Sequence, residues 1–218
     1  MNSRSQPRRS SLGPRNRKSQ GRPERRTVLI VCEGRETERN YLDSLKREDV
    51  ISRRFTITVV KGKGGARRQI AQRAVDQKNN RNTDFDEVWC VLDVERLATE
   101  DARNDLRDAV QIARQNDVTL CLSNPAFEIW ILAHFVRSSR QFNDCDAVIV
   151  ELNKHWAEQF QSDFSKNDRR IYARIANRTS KAIENAKAVR ELDHPGQSDI
   201  GDCNSATEMY LLVLHLTQ

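Results

Sequence analysis

Four short apolar runs punctuate an otherwise polar chain: Val28-Leu29-Ile30-Val31-Cys32, Phe55-Thr56-Ile57-Thr58-Val59-Val60, Val88-Trp89-Cys90-Val91-Leu92 and Val118-Thr119-Leu120-Cys121-Leu122. The first and third are continuous and rich in β-branched residues, the pattern of strands buried on both faces. The second alternates, as a strand does when its two faces differ. Between the runs the period lengthens to that of a helix. Residues 36–45 place Tyr41, Leu42 and Leu45 on one face, residues 67–78 do the same with Ile70, Ala71, Ala74 and Val75, and residues 99–115 with Leu106, Val110 and Ala113. The order βαβαβαβ predicts an α/β fold with a mostly parallel sheet of about four strands and helices on both faces.

Past the fourth strand the pattern changes. Ser123-Asn124-Pro125 predicts a helix start, with Asn124 as N-cap and Pro125 at the first helical position. The helix it opens, residues 126–136, is apolar nearly all round and is expected to be buried. Glu128 is the exception, and a buried lone carboxylate needs a basic partner, a helix-end hydrogen bond or a metal-bound water. From Asp144 onward, charged amphipathic segments up to Leu192 predict a helical annex, followed by a loop to Cys203. Ser205-Ala206-Thr207-Glu208 reads as a capping box for a last helix that packs back on the sheet. The chain thus divides into an arm (1–26), an α/β core (27–143), a helical insertion (144–203) and a C-terminal helix (204–218).

Charge separates the arm from the rest. Residues 1–26 hold nine Arg or Lys against Glu24 alone, whereas the whole chain carries a formal +6, so the body is slightly acidic. Having almost nothing apolar to bury, the arm is expected to be disordered, and it can gain affinity for phosphates without reading sequence. Five cysteines, an odd number with no Cys-x-x-Cys pair, suit reduced core positions in a cytoplasmic protein. No apolar run nears the eighteen or so residues of a membrane span, and no secretory signal core is present. Neither a membrane partner nor a zinc site is expected, the four histidines lacking ligand spacing.

Candidate chemistry sits at the ends of the strands. Glu33 follows the first run, and Asp93-Val94-Glu95 follows the third. If those strands are neighbours, three carboxylates converge where α/β proteins gather their ligands, beyond the carboxyl ends of parallel strands. Such a group repels itself, and a hard divalent cation, Mg²⁺ or alternatively Mn²⁺, resolves the conflict through oxygen ligands. Residues i and i+2 of an extended segment point the same way, so Asp93 and Glu95 are expected to share the ion. The plainer alternative is that Glu33 and Asp93 cap the helices that follow. Lys61 and Lys63, in the glycine-rich turn Lys61-Gly62-Lys63-Gly64-Gly65, are candidates to neutralise a substrate phosphate, with Arg35, Thr37 and Asn124 as further substrate contacts.

Taken together, Ile30-Val31-Cys32-Glu33-Gly34-x-x-Thr37-Glu38-x-x-Tyr41, Trp89-Cys90-Val91-Leu92-Asp93-Val94-Glu95 and Ser123-Asn124-Pro125-Ala126-Phe127-Glu128-Ile129-Trp130 resemble the motifs of the RloB-like family of Toprim-related proteins. Asn204-Ser205-Ala206-Thr207-Glu208 is similar to that family's Asn-Pro-Ser-Thr element with the proline replaced. The resemblance implies a Toprim-like fold with Glu33 as general acid/base, and Asp93 and Glu95 as metal ligands, Glu95 standing where the pattern has Asp. It also implies a nuclease that partners an ATPase in bacterial anti-phage or abortive-infection loci, cleaving nucleic acid, with tRNA one candidate substrate. The alternative is a non-catalytic subunit whose core docks an ATPase. Self-association, and the choice between DNA and RNA, are left open by the sequence.

Overall fold

The computed structural model describes residues 24–34, 36–62, 65–95, 97–196 and 199–218. Most of the basic arm, together with Arg35 and Lys63, lies outside the described residues. Four parallel strands form one sheet: β1 (Arg26–Cys32), β2 (Phe55–Lys61), β3 (Glu87–Asp93) and β4 (Thr119–Ser123), in the order β2-β1-β3-β4. Cys32 lies opposite Lys61 on one side and Val91 on the other, and Asp93 lies opposite Ser123. The chain leaves β1 toward β2 and then crosses back to β3. The winding direction reverses between β1 and β3, the position beyond whose strand ends open α/β sheets bind ligands.

Period-two alternation within the apolar runs sends side chains to both faces. Val28, Ile30, Cys32, Trp89 and Val91 join one core, under α1 (Thr37–Leu45), α5 (Glu128–Ala133) and α9 (Met209–Thr217). Leu29, Val31, Val88, Cys90 and Leu92 join the other, under α3 (Arg67–Lys78) and α4 (Glu100–Gln115). A short α2 (Asp49–Ser52) precedes β2. The helical region α6 (Cys145–Phe160), α7 (Ile171–Ile175) and α8 (Thr179–Ala188) does not form a core of its own. Val148, Leu152, Trp156, Ile171 and Ala182 belong to the same apolar cluster as Val28 and Ile30. His134, fully buried, is a core residue: its Nδ1 lies 2.9 Å from the Trp130 carbonyl, and burial pulls its pKa down to about 4.

Two expected helix starts are corrected. The segment after β4 is not helical from Ala126; α5 begins at Glu128 and lasts six residues. Asn124 does not cap it. The Asn124–Pro125 peptide is cis, and the Asn124 amide nitrogen donates to the carbonyls of Ile200 and Gly201, 3.0 Å each. Ser205 to Glu208 form no capping box either, because the end of β4 recruits Ala206 to Glu208 and the Ser205 hydroxyl donates to the Ser138 carbonyl at 3.0 Å. Ser123 bridges Thr207 in antiparallel fashion, the Asn124 N–H donates to the Ala206 carbonyl (2.8 Å), and the Glu208 N–H donates to the Leu122 carbonyl (2.8 Å). Helix α9 starts one residue later, with the Met209 N–H donating to Thr207 Oγ1 at 3.2 Å. Among the described residues no helix is long and apolar enough to cross a membrane.

Candidate functional site

The site is assembled where β1 and β3 end side by side. The Glu33 N–H donates to the Val91 carbonyl at 3.0 Å, which extends the ladder one residue past β1. Its carboxylate Oε2 in turn accepts the Asp93 N–H at 3.1 Å, tying the two tips together. Asp93, the last residue of β3, accepts the Phe127 N–H on Oδ1 at 2.8 Å, which fixes the approach to α5. Glu128 opens α5 almost fully buried. Its Oε1 accepts the Thr37 hydroxyl at 2.8 Å, and its Oε2 the Cys145 thiol at 3.1 Å. Glu38, in the first turn of α1, is also buried, and its Oε1 accepts the Gly34 N–H at 3.0 Å.

Four carboxylates thus crowd one end of the sheet. Among the described residues Lys166 pairs with one of them, its Nζ lying 3.6 Å from Glu128 Oε1 and 3.1 Å from Cys145 Sγ, and the charge of Arg67 also acts on Glu33. Burial and then the charges of Glu38, Glu128 and Glu33 hold Asp93 well above the usual carboxylate range. Burial, reinforced by Glu128, pushes Glu38 up to about 7. Burial also raises Glu33, outweighing the Asp93 N–H it accepts. The Cys145 thiol is pushed up to about 12 by burial and by Glu128, so it stays a neutral donor. A cavity of about 350 Å³, lined by Asp93, Glu95, Asn143 and Cys145 among others, opens against the cluster.

The other side of the β3 tip belongs to Arg67. Its Nε donates to the Asp93 carbonyl at 2.8 Å and Nη2 to the Val94 carbonyl; Nη1 lies 3.3 Å from Asp105 Oδ2. Nη2 also lies 3.3 Å from Glu95 Oε2. This corrects the geometry expected of Asp93-Val94-Glu95. The strand stops at Asp93, Glu95 has a left-handed backbone (φ 51°), and its carboxylate faces Arg67 with 65% of the side chain exposed. The i, i+2 argument requires extended backbone. Glu95 lines the same cavity as Asp93 and does not point alongside it.

The structure therefore brings together Glu33, Asp93, Glu128 and Thr37. Lys61 is exposed at the end of β2, Asn124 spends its amide on the 200–201 carbonyls, and Arg35 and Lys63 lie outside the described residues. Sequence reasoning missed Glu38, Arg67 and the pairing of Lys166 with Glu128. Glu38 left a trace as an acidic residue one turn past a strand tip and beside Thr37, and a basic partner was one of the ways foreseen to satisfy Glu128, though not which residue supplies it.

Among the described residues no three His, Cys, Asp or Glu side chains stand ready-made around a metal ion. The donor set nevertheless fits one. It is all oxygen, largely withdrawn from water and mutually repulsive, and the upward shifts of Asp93, Glu38 and Glu33 show that without a cation these carboxyls favour their protonated forms. Searches of curated proteins and of solved structures found no match. The family model described as RloB-like protein matches residues 28–216, from the first buried residue of β1 to the last helix, and the chain belongs to the RloB-like family.

Proposed function

We propose that this chain is a Mg²⁺-dependent nuclease, with Mn²⁺ an alternative ion, which hydrolyses phosphodiester bonds of a nucleic acid as the effector of an anti-phage, abortive-infection system with a partner ATPase. One observation carries the reading: half-buried Glu33 and Asp93 gather with buried Glu38 and Glu128 at the switch point between two adjacent parallel strands, the place where α/β folds bind ligands. Asp93 and Glu33 would hold the ion, with Glu95 at the mouth of the cavity. Once bound, Mg²⁺ supplies polarisation of the scissile phosphate and relief of the charge that develops on the leaving oxygen. The chain's own residues set the positions. The Asp93 N–H orients Glu33, the Phe127 N–H orients Asp93, and the Thr37 hydroxyl orients Glu128 toward the cluster. Lys166 offsets part of the charge on Glu128.

Adding Mg²⁺ or Mn²⁺ to purified protein is expected to raise the melting temperature of wild type and to leave Asp93→Asn and Glu33→Gln unmoved, with loss of cleavage of RNA or DNA in the same variants. Absence of any response in wild type would sink the nuclease reading and favour a docking subunit, in which those carboxylates serve only to bind the backbone N–H groups they already accept.

A further inference from the structure

A groove of about 810 Å³ runs between α1 and the loop that leads into α7. Its walls are polar: Asn40 and Ser44 on the helix, Asn167 on the loop, and arginines 39, 47 and 169. Most of the acids nearby are already engaged. Asp43 takes Arg39 (3.3 Å) and Lys46 (2.6 Å), and Asp168 takes Arg174 (2.7 Å) and the Arg170 N–H (2.8 Å). Glu36 remains on the rim. Among the described residues, the guanidiniums of Arg47 and Arg169 have neither an ion-pair nor a hydrogen-bond partner, and both residues are exposed.

The loop wall of the groove is tied to the carboxylates through Lys166. Asn40 Nδ2 donates to the Lys166 carbonyl at 3.0 Å and holds the loop against α1. Lys166 precedes Asn167 in the chain, and its ammonium lies against Glu128 and Cys145. Cys145 lines the cavity that contains Asp93. A phosphodiester strand approaching four clustered carboxylates meets repulsion, which cations along its path offset. Unpaired guanidiniums are suited to this, since their planar donor fork matches phosphate oxygens. The arginine-lined groove along α4 is a poorer fit. Arg103 and Arg107 are bound to Glu100 there, and the facing wall carries Asp199 and Asp202.

We infer that the groove between α1 and residues 166–170 seats the backbone of the nucleic-acid strand that enters the carboxylate site, with Arg47 and Arg169 each neutralising a phosphate. The inference rests on the nuclease reading for what becomes of the strand, and on the groove itself for where the strand lies. The test starts from the full-length Asp93→Asn chain, so that no strand is cut, and measures fluorescence anisotropy with labelled single-stranded RNA and, separately, duplex DNA. Adding Arg47→Glu and Arg169→Glu weakens binding by about tenfold or more and lowers the slope of log affinity against log salt by roughly 1.4 to 1.8, the equivalent of two phosphate contacts. The melting temperature stays the same, and the Gln pair gives an intermediate loss. Arg107→Glu with Arg114→Glu leaves affinity unchanged. The groove is overturned by unaltered affinity in the Arg47/Arg169 variant, by equal losses in both pairs, or by absence of binding in the starting protein. Mg²⁺-supported cleavage that continues with unchanged KM in a chain altered only at Arg47 and Arg169 removes the groove and leaves the nuclease reading standing. Groove-dependent binding with no cleavage by wild type in Mg²⁺ or Mn²⁺ does the reverse. Whichever strand binds more tightly separates RNA from DNA.

Discussion

On the α3–α4 side of the β3 tip, Arg67 is buried among Asp105 and the carbonyls of Asp93 and Val94, with Glu95 at its outer edge. On the α1–α5 side Asp93 shares its surroundings with Glu33, Glu38 and Glu128, and of these acids Lys166 pairs with Glu128. The same strand end is thus electrically closed on one side and open on the other. The fold has the means to pair buried acids, since it does so with Arg67. The side it leaves unpaired is the one that faces a cavity. A buried charge retained without a partner destabilises the protein that carries it, which makes the open side the place to look for a ligand.

The largest effect is expected from breaking the closed side. Arg67→Met takes from Asp105 its buried cation, leaving it Arg68 and two backbone N–H groups, and removes donors from two backbone carbonyls, and unfolding in urea is expected to show a loss of about 3 kcal/mol. A smaller loss than that expected of an exposed ion pair would mean the closed side is not closed. The open side is probed next, by pH, in metal-free protein. Glu38 has its pKa raised from an ordinary 4.5 to about 7, so the folded chain holds a proton that the unfolded chain has released. Stability therefore falls as pH rises across that window, by on the order of 3 kcal/mol in all, and Glu38→Gln flattens the fall. The raised Glu33 and Asp93 act with the same sign. Stability that rises with pH over the same range would contradict an uncompensated cluster. Smallest is the change at the exposed rim: Glu95→Gln alters unfolding free energy by no more than about 0.5 kcal/mol, because a pair with one partner 65% exposed is screened by water.

The sheet was legible from the chain because a run such as Val28–Cys32 is apolar at every position and can be satisfied only by burial on both faces; α3 matched its expected span of 67–78 for the equivalent reason at helical period. The meeting of Glu33 with Asp93 was legible as a condition, and the neighbouring placement of β1 and β3 meets it. What stayed hidden depends on packing from elsewhere in the chain. Glu38 looks like any polar residue on an amphipathic helix until Glu128, some ninety positions later, is packed beside it. Arg67 looks like a helix-start cation until β3 ends against it. Asn124 and Ser205 carry strong local capping signals, and long-range partners claimed both instead: the carbonyls of Ile200 and Gly201 take the Asn124 amide and the Ser138 carbonyl takes the Ser205 hydroxyl, contacts that outweigh a cap worth about 1 kcal/mol.

Gly34 carries one more consequence. A β-carbon built on it would stand 1.8 to 2.2 Å from the carboxyl atoms of Glu38, a collision that the flexible acid can escape only by swinging aside. Bulk at position 34 would thus be converted into displacement at position 38. Alanine there acts as a mechanical lever, moving one carboxylate out of the quartet while leaving its chemical identity intact, and so separates what that group does by being acidic from what it does by being in place.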